Sequence, residues 1–268
     1  MTQRAFIGSV NLAVALCVAA PLAAQVPLSG YTPFSSRYRV VSSMQISQVM
    51  QGQSMDSEMS SNQLNSLVLA KDGGALALTI TLDSITATST GAAPPADPNA
   101  AVGLKFTGKM APDGHVVSST VTDKSGNPSD SPFAASLRSF LPRLKVGATA
   151  GMTWADTTTT SRPQNGGTVT TVITTVYTLV GDTTVGTAKD WKLASVATGT
   201  VSGTGNQGGA DYTIKGNING TGTLIVGAGG ALRGADLASD AKMTIDVPIA
   251  GMQIPVTQKQ TMKITRVP

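Results

Sequence analysis

The sequence predicts a mainly β protein: a large curved antiparallel sheet, a half-barrel or barrel-like meander, with one mid-chain helix. Three observations carry that prediction. Apolar and polar residues alternate with strand period nearly from end to end. Charged residues are only 13 % of the chain, and Gly, Thr, Ser and Val abound, which suits exposed sheet. After the N-terminus, a single segment has helical spacing. Ten to twelve strands with one helix leave a double β-sandwich as the alternative.

The first element is a leader. Arg4 precedes an apolar stretch from Ala5 to Leu22, interrupted by Gly8, Ser9 and Asn11, and small residues follow at Ala23 and Ala24. That order is a Sec-type signal peptide over residues 1–24. Cutting after Ala20 would set Pro21 beside the scissile bond, so cleavage is expected after Ala24. The apolar core is short for a membrane span, which needs about 20 residues. Leu16 before Cys17 is too large for a lipid-processing site. The expected mature protein, residues 25–268, is one β-rich domain, exported to the periplasm or outer surface, with no cysteine for a disulfide.

Strands follow in order. Tyr38, Val40, Met44 and Ile46 share one parity, with Arg39, Ser43, Gln45 and Ser47 on the other. Leu76, Leu78, Ile80 and Leu82 face one way and Ala77, Thr79, Thr81 and Asp83 the other. The Lys71–Gly74 turn makes that strand a hairpin with Asn65–Ala70. Gly91–Ala100 and Asp123–Asp130 are loops. Ser131 is then an N-cap and Pro132 a first helical residue, with Phe133, Leu137, Phe140 and Leu141 on one face and Pro142 as the stop. Thr168–Val180 is β-branched on both faces. Trp191–Val196, Tyr212–Ile218, Leu224–Val226, Met243–Ile249 and Met262–Val267 also have strand character. Asn165–Gly167 and Asn219-Gly220 are expected turns. Leu104–Val117 and Thr223–Leu232 share a strand–glycine–apolar layout, which suggests two related halves joined by the helix near 131–142.

Chemistry is sparse. His115 is the only histidine and Glu58 the only glutamate, so no catalytic set, metal site or cofactor is expected. Gly203–Gly208 spells the dinucleotide fingerprint, but a strand follows it rather than the helix that would hold a pyrophosphate. Ser239 and Lys242 have Ser-x-x-Lys spacing, but Ser239 leads into a strand. Without Arg4, 18 basic side chains face 15 acidic ones with the signs interspersed, so nucleic acid is not an expected partner. Ten aromatics and a Val267-Pro268 end do not fit an outer-membrane barrel with its aromatic girdles.

Nine methionines in the mature chain outnumber its four phenylalanines. They are either adaptable filler for a core poor in aromatics or the lining of a plastic apolar pocket.

With the leader, the meander and the Ser131-Pro132-Phe133…Leu141-Pro142 helix in place, the layout resembles exported bacterial proteins with Gly-rich β repeats. More distantly it is similar to lipoprotein-carrier half-barrels of the Lol type. That resemblance implies a curved sheet and helix around an apolar cavity, and it carries no motif. The expected function is non-enzymatic binding of a lipid or apolar small molecule, lined by Leu76, Leu78, Ile80, Leu82, Phe133, Leu137 and Phe140. The alternative is a structural or adhesive module meeting an envelope protein through the Thr-rich surface from Thr157 to Thr178.

Overall fold

The computed structural model describes residues 27–50, 52–91, 97–129, 140–164, 166–185 and 188–268. Eleven strands form one antiparallel sheet: β1 (Phe34–Met50), β2 (Gln53–Asp72), β3 (Ala75–Thr90), β4 (Lys105–Met110), β5 (Val116–Thr122), β6 (Thr153–Gln164), β7 (Gly167–Val185), β8 (Ala188–Gln207), β9 (Ala210–Val226), β10 (Leu232–Val247) and β11 (Met252–Val267). Their spatial order is β5-β4-β3-β2-β1-β11-β10-β9-β8-β7-β6. The sheet is curved and unclosed, with β5 and β6 as its edges. The helix expected from Ser131 lies outside the described residues up to 139, and Phe140 and Leu141 sit in irregular backbone. Short 3-10 turns at Pro98–Ala101, Ala228–Gly230 and Pro248–Ala250 are the helical turns among the described residues.

Eight strands run 16 to 20 residues, or roughly 50–65 Å at about 3.3 Å per residue. The expected strand segments are pieces of these longer ones. Asn219-Gly220 is not a turn but lies in mid-β9, where Gly220 pairs with Ala197 on β8 and Ser239 on β10. Glycine fits inside these strands because neighbours lie flat across it. A Cβ on Gly216 would come within 2.6 Å of Met243 Cγ on β10.

The hydrophobic core covers one face at one end of the sheet, here called the base. Each central strand sends alternate residues into it: Tyr38 and Val40, Leu67 and Leu69, Leu76 to Leu82, Leu193, Leu224 and Val226, Ala235, and Ile264. Leu28, Tyr31, Leu104, Phe140, Leu144 and Ala148 close over them from irregular segments. At the opposite end, the tip, the strands return through tight turns, and burial is sparse: a small cluster of Val201, Tyr212 and Ile214, with Ala241 and Val256 buried besides.

Leu193 is fully buried whereas Val196, three residues on, is 54 % exposed on the other face. Leu193→Ala should therefore cost about 2–5 kcal/mol and Val196→Ala less than about 0.5 kcal/mol. Paired thermal or urea melts check this, and equal losses would contradict the assigned face.

Candidate ligand-binding face

Leu76, Leu78, Ile80 and Leu82 point to one side as their alternation predicts, and they are 5, 2, 1 and 0 % exposed. They pack with Phe106 and Met110 of β4, and Phe140 joins the same cluster. Phe140 covers Tyr38 edge-on, ring centroids 5.0 Å apart. These five expected lining residues thus belong to packed core. Phe133 and Leu137 lie outside the described residues.

A clasp of irregular segments holds the base shut. Tyr31 is buried, and its hydroxyl donates to the Pro142 carbonyl at 2.7 Å. Its backbone N–H donates to the Pro112 carbonyl at 2.7 Å. Gly230, at φ +77°, lies under the Tyr31 ring, and a Cβ there would meet Cδ1 at 2.5 Å. Arg143 bridges Asp113 (3.0 Å) and Asp156 (3.2 Å), while its carbonyl accepts from Trp154 Nε1 at 2.9 Å. Desolvation pushes the Asp113 carboxyl up, but the His115 backbone N–H and the Arg143 guanidinium outweigh it and hold Asp113 below its ordinary range. Arg233 reaches fully buried Asp190 at 3.3 Å, tying β10 to β8. This set of charges ties elements together: Arg143 holds the crossing segment to the Ala111–His115 turn and to β6, and Arg233 holds β10 to β8.

Beneath the clasp, several polar atoms are buried without a hydrogen-bond partner: both amide atoms of Asn65 and Asp190 Oδ2. Tyr38 and Asn65 are direct partners across β1 and β2. Each such group costs stability unless an ordered water meets it.

Toward the tip, the same face loses its cover but keeps an apolar character. The methionines of four neighbouring strands all lie on it: Met55 and Met59 on β2, Met44 and Met50 on β1, Met252 and Met262 on β11, and Met243 on β10. Met44 and Met59 are direct cross-strand partners. Six of the seven are half-buried and Met55 is exposed. Ile46, Leu237, Ala241, Ile245, Ile214 and Ile218 share the face. Tip-ward of Val40 on β1 and Ile264 on β11, no Lys, Arg, Asp or Glu lies on this side of β9, β10, β11, β1 or β2. Asp56, Glu58, Lys215, Asp240, Lys242, Asp246 and Lys259 all lie on the other side. The methionine signal was present in the sequence, but only the register shows that strands from both chain ends put it on one surface.

The remaining motifs resolve simply. Gly203–Gly208 runs from β8 into its hairpin turn. Ser239 and Lys242 sit on opposite faces of β10. His115 is exposed, and its backbone N–H donates to Asp113 Oδ1 at 2.9 Å. Among the described residues no cluster of three or more His, Cys, Asp or Glu could hold a metal, and no helix is long and apolar enough to cross a membrane. An open groove of about 480 Å³ lies over β1, β11, β10 and β9 on the charged side, between Val41, Lys263, Asp236 and Thr223. Comparison of the chain with protein-family models, curated proteins and solved structures finds no match.

Burial raises the phenol pKa values of Tyr31, Tyr38 and Tyr177, the last to about 12. A group with a raised folded pKa gives stability that is complete below its unfolded value, about 10 for tyrosine, and lost as pH climbs through the folded value. Melting temperature should stay level in this respect up to pH about 10 and fall above it, with tyrosinate absorbance at 295 nm rising late and together with unfolding. Tyrosines that all titrate near pH 10 in a still-folded protein would contradict the clasp.

Proposed function

We infer that this is an exported, non-enzymatic protein that holds a hydrophobic molecule, a lipid or other apolar compound, against the core-bearing face of its curved sheet. The site proposed is the tip half of that face rather than the leucines of the base. One observation carries the reading: seven methionines of β2, β1, β11 and β10 share a face that no second layer covers among the described residues and from which charge is absent tip-ward of the core. On an exposed strand with two wet faces, charged residues gain nothing by avoiding one side. Their segregation fits a face that spends time out of water, because an unpaired buried charge is far more costly than a buried thioether. Thioether side chains adapt to ligands of irregular shape, which fits an acyl chain or a range of apolar molecules. The leader is the support for export.

A second reading has its own observation. The packed base and the long uncovered edge at β6, with Thr157, Thr158 and Thr159 exposed, fit a structural or adhesive envelope module.

Adjacent residues of β10 separate the faces. Ser239 lies on the methionine side and Ala238 on the other. Ser239→Lys should weaken binding of a fluorescent apolar dye about tenfold, roughly 1.4 kcal/mol, and Ala238→Lys should leave it unchanged, with both folds intact by circular dichroism. Dye binding equally affected by both, or no dye binding and no co-purifying lipid by native mass spectrometry, would remove this reading.

A further inference from the structure

We propose that the β6 edge is a self-complementary surface on which a second copy of this chain docks, continuing the sheet across a two-fold axis. Strand β6 pairs with β7 through twelve residue pairs without a register shift, and no strand among the described residues covers its other side. The opposite edge differs. Strand β5 has seven residues, and the chain beyond it folds back through the Thr122–Pro128 bridge. Sheets usually protect an edge by keeping it short, bulging it or placing lysines along it. Strand β6 is long, and its proline and charges stand toward its ends, at Pro163, Arg162 and Asp156, which leaves the uncharged run Thr157–Ser161 as open edge.

Its sequence also matches itself. In an antiparallel pair about a two-fold axis, residues of one face oppose residues of the same face. Asp156 and Arg162 are the only charges on β6, and both lie on the core-bearing side, opposite Thr175 and Val169 of β7. A two-fold axis at Thr159 sets Asp156 of each copy against Arg162 of the other. The same register puts Thr157 against Ser161 and Thr158 against Thr160, hydroxyl pairs of the kind that stabilise antiparallel neighbours. No other self-register brings these two charges opposite one another. Asp156 binds Arg143 through Oδ1, and its second oxygen is the acceptor for Arg162 of the second copy. Pro163 falls just outside the stretch from Asp156 to Arg162, so its missing N–H removes no bond there.

Cys17 is the sole cysteine, so a C17S, T159C chain carries one thiol, at the axis. Opposed Cβ atoms in a non-hydrogen-bonded pair lie about 4.5–5.5 Å apart, near enough for a disulfide with small adjustment. Under mild oxidation this variant should form a covalent dimer at least tenfold faster than C17S, T157C, whose thiols are held about four residues apart across the axis. The unsubstituted protein should sediment at twice the chain mass at about 100 µM, and R162E should sediment at the chain mass with an unchanged circular dichroism spectrum. Sedimentation as a single chain, or cross-linking no faster than the T157C control, would overturn the proposal. The first result would also be the outcome if a strand of another protein occupied this edge.

Discussion

Twelve residue pairs between β1 and β11 join the first strand to the last, and the shape of the molecule follows from that closure. Starting at β1, the chain lays strands outward to β5 at one edge. Because β11 must end beside β1, the remaining strands have to start at the opposite edge, at β6, and work back. The chain between β5 and β6 therefore has to cross the sheet, roughly 48 Å for ten strand spacings if it were flat. Residues 140–152, the described end of that crossing, lie over the core-bearing face, with Phe140 on Tyr38 and Leu144 and Ala148 buried beside it. One pairing thus explains why this face is buried, why the burial is at the base, and why the sheet stays open. It also imposes long sequence separations on the central contacts, a topology expected to fold slowly.

The base and tip differ because their connections differ. At the base, the lead-in to β1, the Ala111–His115 turn, the crossing and the Gly227–Ala231 segment are long enough to touch one another. Tyr31 and Arg143 bind them into a single cover. At the tip, Gly52, Gly208-Gly209 and Pro248–Gly251 turn the chain back within a few residues, and the Pro248–Ala250 turn reaches no farther than β9, the neighbour of its own hairpin. A sheet of this length could be covered end to end only by a second layer, and among the described residues the connections cover the base. The tip is left with two open faces, and register there rests on the ladder itself and on flat-lying neighbours such as Met243 over Gly216.

The fold class was legible because its signal is local. Leu76, Leu78, Ile80 and Leu82 alternate against threonines and an aspartate, and period two needs no partner strand to be seen. Strand length was less legible. Thr and Gly interrupt the apolar pattern of β8 and β9, and Asn219-Gly220 has turn chemistry, but pairing on both sides overrides it. The expected site was hardest to see. Alternation identifies which residues share a face, but not whether that face is covered, and the leucines with the clearest pattern are covered. Met44 and Met59, or Met44 and Met262, are neighbours only through β1–β2 and β1–β11 register, and no spacing within one segment encodes that.

Low charge on this chain acts differently on its two open surfaces. Tip-ward of Val40 and Ile264 there is none on the core-bearing side of β9 to β2, while the reverse side of the same strands carries Asp56, Glu58, Lys215, Asp240, Lys242, Asp246 and Lys259. Random placement would not sort so many residues by parity across five strands whose two faces are equally wet. In the tip half of these five strands the charge lies on the reverse side alone. The methionine surface is thus marked by two independent features, its apolar residues and the sorting of charge to the reverse side, and the proposed apolar ligand rests on their coincidence.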